Sequence, residues 1–286
     1  MSNNIVTILA LPDLHGKIPI LLLENKPEFD IIISPGDVCL DNLRGEEIIN
    51  FKKAQEKSLK VGKEILEQLS RFNKPIYLVP GNWEPTKFCD GIKRENKDKF
   101  KEMIKKLPLV HDCEYKSIEI KNYPITIIGA GSTSAPEIIS QVELNSRLKQ
   151  EKDSEEIEEL QERYSYQKKK LEIVDELFEK ISKGKNNLNI FLTHNSPYNT
   201  PLDIIKNPFN PLHNQHYGSI LGRTIIEKHQ PELVISGHIH EGVGICRIKN
   251  SICLNAGYGD NIYHLISIDI SKKKVLTIKK VRKNGV

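Results

Sequence analysis

Leu192-Thr-His-Asn-Ser-Pro197 decides the fold together with a second stretch, Ile235-Ser-Gly-His-Ile-His240. In each, an apolar run ends in imidazole side chains that have no evident packing role. Short apolar runs bounded by glycine or proline are typical of strands buried on both faces in layered α/β proteins. The histidines then stand at the carboxyl ends of strands, where open α/β sheets bind their ligands.

Three further apolar runs end in the same way. The run at 5–10 is followed by Asp13-Leu-His15, the run at 31–34 by Gly36-Asp37, and the run at 76–79 by Gly81-Asn82. Each run stops at proline or glycine, which predicts a strand followed by a tight turn. Five predicted strands therefore present a carboxylate, an imidazole or an amide at their ends.

The side chains at these strand ends have the chemistry of metal ligands. They are seven nitrogen or oxygen donors without a cysteine: Asp13, His15, Asp37, Asn82, His194, His238 and His240. The absence of cysteine argues against a closed structural zinc site. Seven donors are too many for one ion. One of the two aspartates could bridge two ions about 3.5 to 4 Å apart, the separation used in two-metal hydrolysis.

The other segments predict a layered α/β protein with two small sheets. Residues 45–71 form an amphipathic helical pattern that could break near Gly62, and the lysine-rich residues 92–106 predict a surface helix. Residues 117–128 predict a hairpin, and three runs between 251 and 279 predict a closing meander. The Lys and Arg residues from 272 to 283 are interpreted as protection of an edge strand rather than as a polyanion site.

Residues 137–183 differ in composition from the rest of the chain, being rich in Glu and Lys and poor in Gly and Pro. We interpret this segment as a charged helical insertion in a single domain spanning 1–286. Its apolar side chains recur at alternating spacings of three and four, with Gln167 filling one step: Ile157, Leu160, Tyr164, Leu171, Val174, Phe178 and Ile181. The favoured interpretation is a stripe that packs on a sheet; a lid, a helical hairpin or a homodimer interface would use the same stripe.

Composition excludes several classes of protein. The 286 residues are 38% hydrophobic and 28% charged, which suits one sizeable core. The net charge of +4 is too mild to indicate a nucleic-acid partner, and no apolar run is long enough to span a membrane. Five cysteines without a C-x-x-C pair, and the lack of a signal-peptide pattern, predict a cytoplasmic location.

The five strand-end motifs, taken together, resemble those of the calcineurin-like metallophosphoesterases. The family pattern D-x-H, G-D, G-N, H and G-H-x-H is matched at residues 13–15, 36–37, 81–82, 194 and 237–240. The resemblance implies a four-layer αββα sandwich of two mixed sheets. It also implies that Asp13, His15, Asp37 and His240 hold one metal ion. Asp37, Asn82, His194 and His238 would hold the other, with Asp37 as the bridge.

One departure from the family pattern concerns the proton donor. Most family members have a histidine after the asparagine, thought to stabilise or protonate the leaving oxygen, whereas here Trp83 and Glu84 follow Asn82. Glu84 with a raised pKa, or His216 from the loop at 195–217, could replace it, and we favour His216. Trp83 could stack on a base or phenyl group of the substrate, or fill an apolar gap under its loop.

The resemblance implies a metal-dependent phosphoesterase in which two ions activate a bridging hydroxide for in-line attack on phosphorus. Mn, Fe, Zn, Mg, Ni and Co are all compatible with the donors. We expect a phosphodiesterase acting on a phosphate ester such as a nucleotide, similar to the cyclic-nucleotide phosphodiesterase-like branch of the family. The alternatives are a phosphomonoesterase or protein phosphatase and, from another class, an interaction scaffold without catalysis.

Overall fold

The computed structural model describes residues 4–41, 51–182 and 186–283, with 51 and 52 described by their backbone only. In the described chain, two six-stranded mixed sheets pack face to face. The first has the strand order β14-β13-β1-β2-β3-β6. Its strands are β1 (Ile5–Ala10), β2 (Ile31–Ser34), β3 (Ile76–Leu78), β6 (Val110–Asp112), β13 (Ile262–Asp269) and β14 (Lys274–Arg282).

The second sheet has the order β11-β12-β10-β9-β8-β7. Its strands are β7 (Ser117–Glu119), β8 (Ile125–Ala130), β9 (Leu188–Asn195), β10 (Leu233–Gly237), β11 (Gly244–Ile248) and β12 (Ser251–Asn255). A separate two-stranded ribbon consists of β4 (Phe88–Cys89) and β5 (Ile92–Lys93). In the first sheet β1, β2 and β3 are parallel, and in the second β8, β9, β10 and β12 are parallel.

Helices cover the outer face of each sheet. They are α1 (Ile20–Asn25), α2 (Phe51–Ser70), α3 (Lys99–Ile104), α4 (Gln141–Leu148), α5 (Ser154–Ser182) and α6 (Ile220–His229). One apolar cluster lies between the two sheets, a second joins α1, α2 and α3 to the first sheet, and a third joins α5 and α6 to the second. The predicted four-layer αββα sandwich is therefore confirmed.

The charged segment contains α4 and α5, and its apolar stripe packs on the second sheet only toward its C-terminal end. Val174 and Phe178 pack against Ile128 and Phe191 of that sheet. Farther toward the N-terminus, Gln167 is buried for a polar reason: its amide donates to the backbone oxygen of Asp90 at 2.9 Å. No helix among the described residues is long and apolar enough to cross a membrane.

Three local predictions differ from the structure. The meander is divided between the sheets, because β12 pairs with β10 whereas β13 and β14 pair beside β1. Residues 92–106 contain strand β5 and only a short helix, which begins after Asp98, whose carboxylate caps it by accepting from the Lys101 amide at 2.8 Å. Part of the helical pattern predicted at 45–71, residues 45–50, lies outside the described residues, and α2 continues through the proposed break at Gly62.

Gly62 is required by packing rather than by a turn. A Cβ at this position would lie 2.4 Å from the Sγ atom of Cys39, which is much closer than van der Waals contact allows. The glycine therefore lets α2 approach the turn after β2, one of the turns that carry the candidate ligands. A helix-breaking residue in the sequence thus marks a close approach inside a continuous helix.

Candidate metal centre

Two clusters of candidate ligands lie at the carboxyl ends of the parallel strands. Asp13, His15 and His240 form the first cluster, and Asp37, His194 and His238 form the second. Within each cluster the ligand atoms lie within 4.8 Å of one another. Asp13, His15 and Asp37 come from the first sheet, whereas the other three residues come from the second. The site therefore lies where the two sheets meet.

Asp37, a member of the second cluster, also approaches the first. Its Oδ2 atom is 3.4 Å from Nε2 of His194 in the second cluster and 3.8 Å from Nε2 of His15 in the first. Its other oxygen, Oδ1, accepts from the backbone amide of Trp83 at 2.9 Å. This is the placement required of a carboxylate that bridges two ions.

Asn82 completes the second cluster. Its Oδ1 atom lies 2.9 Å from Nε2 of His194 and 3.0 Å from Nδ1 of His238. With the amide turned over, its nitrogen would donate to these two atoms and to Asp37, and its oxygen would accept from Nε1 of Trp83 at 3.2 Å. The first orientation suits a metal ion among four convergent acceptors, and the second suits a centre without one. All seven sequence-predicted ligands are thus brought together.

Backbone carbonyls orient the rings of His194, which is buried, and His238, which is partly buried. Nδ1 of His194 donates to the carbonyl of Pro35 at 2.9 Å, which leaves Nε2 as the nitrogen available to a metal ion. Nε2 of His238 donates to the carbonyl of Ser134 at 2.8 Å, which leaves Nδ1 unprotonated. In both residues the other ring nitrogen faces Asn82. Such a second hydrogen bond is the usual support of a metal-binding imidazole.

The turns that present the ligands have unusual backbone geometry. His15, Asp37 and His238 have positive φ angles of 44°, 49° and 65°. Residues other than glycine rarely adopt this left-handed backbone conformation, and backbone strain of this kind is concentrated at functional sites. Glycine is also required where the chain packs against the carboxylates of Asp13 and Asp37. A Cβ on Gly237 would lie 2.1 Å from Oδ1 of Asp13, and one on Gly81 would lie 2.1 Å from Oδ1 of Asp37.

The electrostatics of the second cluster favour a cation. Burial alone would raise the pKa of Asp37 and lower that of His194. Their mutual attraction reverses both, holding the Asp37 pKa well below its usual range and raising that of His194 to about 10. Burial, with the adjacent His194 charge, lowers the pKa of His238 to about 4. The cluster therefore attracts one positive charge to the Asp37 and His194 pair, and a proton or a metal ion can supply it.

The donor set fits two divalent metal ions. Oδ1 of Asp13 and both ring nitrogens of His15 are buried without a hydrogen-bond partner among the described residues. Unpaired buried polar atoms are costly, and ions in the two clusters would provide partners for atoms of this kind. Carboxylate, imidazole and amide oxygen are ligands for borderline and hard divalent ions.

The structure gives Glu84 a different position from the one expected of an acid. Its side chain is 1% exposed, and its carboxylate accepts from the backbone amides of Asp37 at 2.9 Å, Cys39 at 3.0 Å and Gly81 at 2.6 Å. Burial and the neighbouring Asp37 raise the pKa of Glu84 to about 7. Its oxygens accept hydrogen bonds from the backbone, so Glu84 joins the turn after β2 to the turn after β3.

The contacts of His216 in the described chain are with residues other than the seven ligands. Its Nδ1 atom lies 2.7 Å from Oδ1 of the buried Asp203, and its ring meets that of Tyr198 edge-on at 6.0 Å. No hydrogen bond, ion pair or ring contact within the described chain joins it to the seven ligands. The expected role as proton donor therefore lacks support from its position. Trp83, by contrast, is 40% exposed and lines a cavity of about 100 Å³ beside Asn82.

Sequence reasoning missed Tyr258, which contacts two ligands of the first cluster, His15 and His240. Its ring stacks on that of His240, with centroids 4.1 Å apart and planes 15° apart. The strand-end rule could have found this residue, because β12 is parallel to β10 and Tyr258 follows it in the turn Gly257-Tyr-Gly259. Asp41 was missed because it belongs to none of the strand-end motifs. Its Oδ2 atom nevertheless lies 3.9 Å from Nδ1 of His15.

Comparison with known proteins assigns the class. The sequence profile of the calcineurin-like phosphoesterases matches residues 6–242, and the chain belongs to this family. Membership supports a metal-dependent phosphoesterase and implies a dinuclear centre of divalent metal ions, for which the two clusters are candidate ligand sets.

The individual relatives support the fold over nearly the whole chain. Uncharacterized protein MJ1162 of Methanocaldococcus jannaschii is 28% identical over 255 residues, covering 87% of this chain and 86% of the relative. Crystal structures of phosphopantetheinyl hydrolase (PptH) from Mycobacterium tuberculosis and of TT1561 from Thermus thermophilus are each 15% identical, with TM-scores of 0.55 and 0.54. These two matches cover 88% and 97% of this chain and 89% and 99% of theirs.

Proposed function

We propose that the protein is a metal-dependent phosphodiesterase. The observation that carries this proposal is a pair of cavities beside the ligand clusters, one reaching the first cluster and the other reaching Asn82. The larger, about 450 Å³, is lined by His15, His240 and Tyr258, and the smaller, about 100 Å³, by Asn82 and Trp83. A phosphodiester has an organic group on each side of phosphorus, so it would occupy both cavities. A monoester needs only one.

The residues of the chain have distinct tasks in this proposal. Asp37 holds both metal sites in one rigid unit, because its carboxylate is fixed by the Trp83 amide and its turn is fixed by Glu84. The carbonyls of Pro35 and Ser134 keep the imidazoles of His194 and His238 oriented. Two divalent ions, when bound, would supply Lewis-acid activation of water and of the phosphoryl oxygens. Trp83 and Tyr258 would act as walls for the two ester groups.

The positions of His216 and Glu84 favour substrates with good leaving groups. His216 is engaged with Asp203, and both oxygens of Glu84 accept backbone amides. A leaving oxygen that receives no proton from a positioned acid departs faster when its conjugate acid is stronger. We therefore expect aryl esters to be hydrolysed faster than alkyl esters.

The test is hydrolysis of bis-p-nitrophenyl phosphate beside p-nitrophenyl phosphate by manganese-loaded protein, with metal content measured on the same samples. We expect the diester to have the larger kcat/KM, and Asp37→Asn to lower diester turnover by a factor of about 100 or more, because it weakens both metal sites. Faster monoester hydrolysis would indicate a phosphomonoesterase instead. If neither ester is cleaved and the protein does not bind metal, the result would indicate an interaction scaffold.

A further inference from the structure

The larger cavity carries more positive charge than a site for a neutral ester group requires. Besides His15 and His240 it is lined by Lys17, Lys280 and Arg282. Lys17 follows directly after the Asp13-Leu-His15-Gly16 turn that presents two metal ligands. The cationic side chains and the first ligand cluster thus share one cavity.

Strand β14 supplies two of these cations from its inward face. Lys280 pairs with His264 and Arg282 with Ile262 on β13. Side chains alternate between the faces of a strand, so Lys280 and Arg282 share a face with Ile278, which packs in the cluster between the two sheets. The two cations therefore continue the inward face of the edge strand beyond the apolar core and into the cavity.

Edge protection alone does not account for this arrangement. β14 is the edge strand of the first sheet, as predicted, and charged residues on either of its faces could discourage pairing with another chain. Lys279 is available for that purpose on the opposite face. Lys280 and Arg282 instead line the same cavity as Lys17, which belongs to a different element. Three cations from two elements at one cavity indicate a ligand.

Among the described residues that line the cavity, the carboxylates are fewer than the cations. Asp41 and Asp260 also line it, so its fixed side-chain charge is three positive against two negative. Asp41 is directed to a metal ligand, with its Oδ2 atom 3.9 Å from Nδ1 of His15. The divalent ions implied by the family would add further positive charge. The cavity is thus suited to an anionic group.

We infer that the larger cavity binds a second anionic group, a phosphate, carried by the organic part of the substrate that rests against Tyr258. This inference rests on the proposed function, because it concerns one ester arm of the same site. Lys17 and Lys280 are the specificity-determining residues. Tyr258 is 46% exposed and held in place by its stacking on His240, so it gives the organic group a rigid aromatic wall.

The experiment compares two chromogenic diesters that differ only in the second anion: thymidine 5′-p-nitrophenyl phosphate and its 3′-phosphorylated form. Both release p-nitrophenol at the same bond. For manganese-loaded protein we expect kcat/KM to be about tenfold higher for the 3′-phosphorylated diester, since charge-assisted hydrogen bonds to phosphate are worth at least one such factor. The double variant Lys17→Ala, Lys280→Ala should lose this preference, whereas Lys279→Ala, on the opposite face of β14, should keep it.

The outcomes separate this inference from the proposed function. Equal kcat/KM values for the two diesters in the unaltered protein, with diester turnover present, would overturn the inference and leave the phosphodiesterase intact. The same holds if the double variant keeps the preference. If no diester is cleaved, calorimetry decides with thymidine 3′,5′-bisphosphate against thymidine 5′-monophosphate. Tighter binding of the bisphosphate that disappears in the double variant supports the anion site, and equal affinities contradict it.

Discussion

Glu84 joins two ligand-bearing turns through three backbone hydrogen bonds, so a small change there should have a large effect. Both oxygens of Glu84 accept hydrogen bonds from backbone N–H groups. In Glu84→Gln an NH₂ group replaces one of these oxygens, and it cannot accept a hydrogen bond from the N–H group that it faces. We expect a loss of about 2 kcal/mol in the free energy of unfolding, the usual cost of an unsatisfied buried donor. Metal binding should weaken as well, because Asp37 and Asn82 stand on the joined turns. Urea unfolding and a metal titration measure the two effects.

Glu67→Gln is the matched control for this substitution. Glu67 lies on the exposed face of α2, where it pairs with Lys63 one turn earlier. Exposed pairs of this kind contribute little, so we expect a change within about 0.5 kcal/mol. Equal effects of the two substitutions would show that the Glu84 hydrogen bonds do not hold the turns together.

At the residue scale, the sequence was informative about the ligands and did not identify the partners of the two candidate acids. The seven donors could be predicted because each stands at the end of an apolar run or in the turn after it, and the carboxyl ends of parallel strands meet at one edge. Glu84 and His216 could not be placed in this way. The sequence does not distinguish a carboxylate that accepts hydrogen bonds from backbone amides from one that protonates a leaving group. Likewise, only the fold shows that Asp203 contacts His216.

At the scale of elements, the strands were easier to predict than their partners. β12, β13 and β14 were all expected as one meander, yet β12 belongs to the second sheet and the other two to the first. Hydrophobic runs reveal that a strand is buried but not which sheet buries it. The division matters for the site, because it places the β12 turn with Tyr258 and the β14 cations around one cavity.

The β13–β14 pair also contains a buried histidine that should make stability depend on pH. Burial, with the neighbouring Lys280 charge, lowers the pKa of His264 from 6.5 to about 4, and its Nδ1 atom has no hydrogen-bond partner in the described chain. The unfolded chain therefore binds a proton near pH 6.5, whereas the folded protein does so only near pH 4. Between these values the unfolded state holds more protons, so stability falls as the pH decreases.

His264→Leu removes this titration and keeps an apolar side chain in the buried position. We expect the unaltered protein to lose about 3 kcal/mol more than the variant between pH 7 and pH 4, as the difference in pKa dictates. Urea unfolding of metal-free protein at several pH values measures both slopes. His213→Gln, a change at an exposed histidine, serves as the control and should follow the unaltered protein. Parallel slopes for His264→Leu and the unaltered protein would contradict the assignment.

At the scale of the whole molecule, the candidate metal centre connects the two sheets. Asp13, Asp37 and Asn82 follow strands of the first sheet, whereas His194, His238 and His240 belong to or follow strands of the second. Sheet packing brings these groups together, so their ligand geometry exists only in the folded chain. Ions that bind the folded state alone stabilise it in proportion to the logarithm of their concentration.

Chelation should therefore destabilise the whole sandwich and not the loops alone. At a free metal concentration of 100 times Kd, the ions add about 2.7 kcal/mol per site. For a chain of this size that corresponds to a rise in Tm of about 5 °C for one site and more for two. Thermal unfolding with zinc or with a chelator measures the shift, and Asp37→Asn should reduce it because both clusters lose a ligand.

Trp83 is the only tryptophan, and its indole lies 3.2 Å from the Asn82 amide that a metal ion would reorient. We expect the fluorescence of Trp83 to change over the same range of metal concentration as Tm. If the fluorescence responds to metal but Tm does not, the ions bind without holding the two sheets together.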